Sequence, residues 1–110
     1  MADLNIDELV RQMSDAARKA LGNQLPETFR YAEDEFKKLG EVLRRIQAGK
    51  QAGAIDAADA ALLVEMQKNA IQTVLLTVVG SGTVLAEQVL NAALGVVRDV
   101  VNSALGWPLL

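Results

Sequence analysis

The residues with the most chemical promise form a glycine turn, Val78-Val79-Gly80-Ser81-Gly82-Thr83-Val84-Leu85. In a dinucleotide-binding βα unit, glycines at such spacing let backbone amides approach a pyrophosphate at a helix N-terminus. Here the third glycine position is Leu85, no second strand follows, and the preceding residues continue a helical pattern. A two-glycine turn between helices accounts for the same letters. No cofactor or small-molecule ligand is expected.

Two acidic clusters, Glu33-Asp34-Glu35 and Asp56…Asp59, carry the ligand type of a hard cation. Di-metal helical bundles combine inward glutamates with Glu-x-x-His pairs, and this chain has no histidine. The Asp-x-Asp-x-Asp-Gly spacing of a calcium loop is also missing. The first cluster reads as part of a salt-bridged helix face. The second reads as helix N-terminal acids that offset the positive end of the dipole. No metal is expected.

Nucleophilic catalysis has equally little to work with. Ser14, Ser81 and Ser103 have neither a histidine base nor a Gly-x-Ser-x-Gly elbow. Lys68 lies three residues after Glu65 on one polar face, as a solvated pair would. With no cysteine in the chain, disulfides, thiol redox chemistry and thiolate-bound zinc are excluded. The chain is not expected to be an enzyme.

One polar residue stands out for structural reasons. Gln67 falls in an apolar sector between Leu63, Ile71 and Val74. A buried amide there needs partners, so Gln67 is a candidate to fix helix register or to meet its own copy across a symmetric interface. The plainer alternative is that it flanks the seam with its amide in water. Asn91 and Asn102 are expected to be solvated.

The elements that position these groups read as four helices over about 6–21, 26–48, 56–79 and 83–105. Asn5 suits an N-cap for the first, with Glu8 placed to complete a capping box, and Gly22 ends it. Pro26 suits the first turn of the second. Its seam, Phe29, Ala32, Phe36, Leu39, Leu43 and Ile46, has heptad spacing. Glu33–Lys37, Asp34–Lys38 and Glu41–Arg45 form acid-then-base pairs four residues apart on its exposed surface.

The break at 48–53 precedes a third helix whose apolar face holds Leu63, Met66, Ala70, Ile71, Val74 and Val78. Past Gln72 that helix becomes apolar nearly all round, which requires cover from protein or lipid. The fourth helix confines Glu87, Gln88, Asn91, Arg98, Asp99 and Asn102 to one strip. Gly106 terminates it, Trp107 can fold back on its last turn, and Pro108 stops further winding. The many valines of 73–101 favour strands, but their polar neighbours recur at helical spacing. Short connections then imply an all-α, up-down four-helix bundle or a pair of interlocked helical hairpins.

At 110 residues the chain is expected to form a single helical domain. Its 25 charged side chains are divided unevenly: 18 lie in residues 1–53, balanced at nine of each sign, and seven in 54–110. The first part is thus a charged helical half and the second an apolar helical hairpin. A net charge of −3 offers no basic face to displace counterions from nucleic acid. Met-Ala-Asp-Leu-Asn-Ile-Asp-Glu is acidic where an export signal is basic and then apolar, and a cytoplasmic location is expected.

The apolar arc of the fourth helix spans roughly 200°, against a stripe somewhat over about 100° on an ordinary surface helix. That excess predicts a non-enzymatic, self-associating helical protein, a structural or assembly subunit whose partner is itself. Val84, Leu85, Leu90, Leu94, Val97, Val101, Trp107, Leu109 and Leu110 are the expected interface residues. One alternative is a membrane-active protein that inserts the 69–106 hairpin, since residues 69–86 carry no charge. Against it, the turn interrupts any continuous span of about 20 apolar residues. A second alternative is an adaptor or chaperone-like binder of another protein.

Overall fold

Asn5 opens the first helix: its side chain accepts the Glu8 amide at 3.2 Å. The structure, a computed structural model, describes residues 4–24 and 26–110; the first three residues of the acidic start lie outside them. Four α-helices are described: α1, Ile6–Leu21; α2, Phe29–Gln51; α3, Ala57–Thr77; and α4, Thr83–Leu105. The Glu8 carboxylate does not close the expected capping box. It takes the Arg11 guanidinium and the Gln12 amide instead, because a charged donor one turn away outbids a neutral backbone amide.

Two boundaries of α2 differ from expectation. Pro26 precedes the helix rather than opening it: its carbonyl accepts from Phe29 at 3.1 Å and closes a separate turn. At the other end, α2 runs through Gly49 to Gln51. A Cβ on Gly49 would lie 3.1 Å from the Ile55 side chain, so this glycine is a notch for Ile55 rather than a break. The break falls at Gly53, where φ is 69° and the left-handed conformation suits glycine.

The capping box appears on α3. Asp56 accepts the Asp59 amide at 2.8 Å, and the Asp59 carboxylate accepts the Asp56 amide at 3.2 Å. The last turn of α3 is closed by Ser81, whose amide and hydroxyl both donate to the Leu75 carbonyl, at 3.0 and 2.9 Å. The polar groups of Ser81 are therefore consumed in ending a helix, as the helix-to-helix reading of that turn requires.

Consecutive helices are neighbours, and α4 returns to pack along α1, while α1 and α3 stay diagonal and apart. Arg18 meets Glu33 and Ile6 faces Gly40, so α1 and α2 run antiparallel. Gln67 meets Glu35 and Ile55 meets Gly49, so α2 and the chain leading through α3 do too. The result is an up-down four-helix bundle measuring 43 × 22 × 18 Å. Its core takes the whole heptad seam of α2, with Met13, Val64, Ile71, Leu75, Val89, Val97 and Leu105. One chain closes this core by itself, without interlocking hairpins.

Candidate interaction surface

The structure corrects where the expected interface residues lie. Leu90, Leu94, Val97, Val101 and Leu109 are buried in the core, and Leu85, Trp107 and Leu110 are half-buried against it. Only Val84 points freely outward, at 70% exposure. The physical reason is that α4 touches both α1 and α3. A helix wedged between two neighbours fills a wide apolar arc within its own bundle.

The C-terminal segment supplies the rest of the cover. Gly106, at φ 74°, lets the chain reverse, and the Asn102 side-chain oxygen accepts the amides of Leu109 and Leu110 at 2.9 and 3.0 Å. Asn102 is thus an anchor, contrary to the expectation that it is merely solvated. Asn91 is exposed. The Lys50 ammonium donates to the Leu105 carbonyl and sits 4.6 Å from the centroid of the Trp107 ring. One lysine thereby ties the end of α2 to the end of α4 through a charged hydrogen bond and a cation–π contact.

Gln67 serves register within the chain. Its amide nitrogen donates to the Glu35 carbonyl at 3.1 Å and to the Glu35 carboxylate at 3.2 Å, pinning α3 on α2. Both contacts need that side chain at one axial height, so a slip by a turn would break them.

Eight large hydrophobic side chains are well exposed among the described residues, and all but Tyr31 belong to residues 62–100. Val96 lies beside α1, with Val100 one turn further along α4, while Val78 and Val84 border the glycine turn. The densest group is on α3, where Leu62 (62% exposed), Leu63 and Met66 (60%) share one helical turn. The expected face of α3 is therefore rotated. Its core side is Ala60, Val64, Ile71 and Leu75, with Leu63 and Met66 turned outward. Periodicity does not mark Leu62, because it stands on the outward side among the exposed Asp59, Glu65 and Asn69, where a polar residue is expected.

Below the exposed patch, the outer face of α3 continues through Asn69, Thr73 and Thr77, all exposed. The Thr73 hydroxyl donates to the Asn69 carbonyl at 2.9 Å, and that of Thr77 to the Thr73 carbonyl at 2.7 Å. With their hydroxyls occupied by the helix's own backbone, these threonines present methyl groups.

The other hairpin has the opposite character. A groove of about 940 Å³ between α1 and α2 is lined with both signs of charge, including Arg11, Asp15, Arg30, Asp34 and Arg45. Arg18 bridges it to Glu33 at 2.8 Å. The α2 pairs form at a three-residue spacing, Glu35–Lys38 (2.9 Å), Glu41–Arg44 (3.2 Å) and Asp34–Lys37 (3.9 Å), instead of the expected four. Glu33 is drawn away across the groove, and its neighbours take bases one turn along. Solvent screening leaves exposed pairs of this kind little weight in stability. The Glu65–Lys68 pair forms at 3.7 Å.

Among the described residues, no group of three or more acidic side chains is arranged to hold a metal ion, and no helix is long and apolar enough to cross a membrane. The fold and surface define a class: a four-helix bundle with one charged hairpin and one hairpin that carries most of the exposed large hydrophobics among the described residues. No protein-family model, curated protein or solved structure matches this chain.

Proposed function

We propose that this chain is a non-enzymatic, self-associating helical protein, a subunit of a homo-oligomer or larger assembly, whose contact surface is the outer side of the α3–α4 hairpin. The observation that carries the reading is the partition of exposed grease: among the described residues, seven of the eight exposed large hydrophobics lie in residues 62–100, where charges are also sparse. Scattered apolar side chains need no explanation, but a clustered set marks a contact site. The α1–α2 hairpin, with its mixed charges, forms the solvated exterior. A cysteine-free chain needs no oxidising compartment to fold, which suits the cytoplasm.

The test is mass in solution across a dilution series from millimolar to low micromolar protein. A mass above 11.8 kDa that falls on dilution is the expected result. A monomer across the whole range would remove self-association. Co-sedimentation with lipid vesicles, performed on the same protein, would then show whether the apolar face meets a membrane instead.

A further inference from the structure

The outer face of α3 has a pattern that its inner face does not explain. Leu62, Met66, Asn69, Thr73 and Leu76 follow steps of four, three, four and three, the heptad spacing of a helix that packs on another helix. The first four are exposed and Leu76 is half-buried. None carries a charge, and the hydroxyl of Thr73 is already satisfied by the Asn69 carbonyl of its own helix. This is a second seam, on the side of α3 that faces away from its own bundle.

The seam is tapered. Its exposed N-terminal end holds Leu62, Leu63 and Met66, and beyond them stand Ala70 and Thr73, while Leu76 turns back to pack against its own core. Laid parallel on a second copy, large would meet large and small would meet small, leaving a gap at one end. Laid antiparallel, Leu62 meets Thr73, Leu63 meets Ala70 and Met66 meets Asn69, so each bulky side chain faces a short one. The same alignment sets Glu65 opposite the neutral Gln72 and brings no like charges together. A surface complementary to itself under a two-fold rotation is what an isologous dimer requires.

Resting on the self-association reading, we propose that two copies of this chain pair antiparallel through α3, about a two-fold axis beside residues 66–69. A single pair of helices lies below the roughly 1,200–2,000 Å² of standard interfaces. The dimer is therefore weak and reversible.

The absence of native cysteine makes the alignment directly testable. Leu62→Cys and Thr73→Cys, both at exposed positions, are mixed at high concentration and mildly oxidised, and the products are resolved by mass. Mixed Leu62→Cys/Thr73→Cys disulfide dimers should dominate. In the antiparallel pair, two copies of position 62 lie about 16 Å apart along the axis, so Leu62→Cys alone should cross-link little. Efficient cross-linking of Leu62→Cys to itself would overturn the antiparallel alignment. Concentration-dependent dimers with no cross-link in either mixture would overturn α3 as the contact while leaving self-association standing. A monomer in the dilution series would overturn both. As a second readout, Met66→Asp should raise the dimer dissociation constant at least tenfold with an unchanged helical spectrum; an unchanged dissociation constant would also remove α3 from the contact.

Discussion

At Glu8, two donors converge on one exposed carboxylate. The hydrogen-bonded Arg11 guanidinium, and then the Gln12 amide, hold its pKa down from 4.5 to about 2. Because the folded value is the lower one, the contact stabilises the bundle above the ordinary carboxylate range. That contribution is lost as pH falls from about 4.5 towards 2. Solvent screening keeps the effect small at so open a position. Glu8→Gln should melt slightly below the parent chain at neutral pH, and the gap should narrow as the pH is lowered towards 2. Thermal melts followed by circular dichroism at several pH values check this; a gap that does not vary with pH would show that the Arg11 contact contributes nothing. Gln67 makes a different point at the same scale. Its position in an apolar sector flagged it, but its partner Glu35 lies 32 residues away and no local pattern joins them.

Among the helices, two glycines with the same backbone role should respond to alanine in opposite ways. Gly40 in α2 is buried where α1 crosses it: an added Cβ would sit 2.7 Å from Ile6 Cγ2 and 3.1 Å from Val10 Cγ2. Alanine gains about 1 kcal/mol in helix propensity, but crowding a packed contact costs about 1–3 kcal/mol, and both facing side chains are β-branched and stiff. Gly40→Ala should therefore lower stability by up to about 2 kcal/mol. Gly95 in α4 has nothing within 4 Å of the same position, and Gly95→Ala should raise stability by about 0.5–1 kcal/mol. Denaturant titrations of both variants read the difference directly. An equal gain at both sites would mean that α1 and α2 do not approach so closely.

For the whole molecule, the central question is which apolar side chains belong to one chain's core and which to its surface. From the sequence, Leu90→Asp or Val97→Asp is expected to give smaller but still helical species. The burial of both residues reverses that expectation. A carboxylate placed at Val97 would be desolvated with no partner, which costs several kcal/mol. Loss of helix should accompany any loss of size. Met66→Asp, placing the same group on an exposed position, should keep both the spectrum and the melting temperature. Circular dichroism and light scattering on the pair separate core from contact surface. A folded Val97→Asp monomer would place α4, rather than α3, at the interface.

The sequence alone determined the helices and most of their ends, because caps are local chemistry. Asn5 before Glu8, Asp56 before Asp59, and Gly106 after Leu105 act within a few residues of themselves. It also marked the inner face of α2, where charges outline the seam. Tertiary structure decided the inner faces of α3 and α4. Periodicity reveals an inside only where polar residues mark an outside, and these two helices are apolar around most of their circumference. Their orientation was set by what else was available to cover them: α1 along α4, the folded-back Leu109 and Leu110, and the Gln67 bond to α2. Each of these contacts joins residues that the chain alone does not bring together.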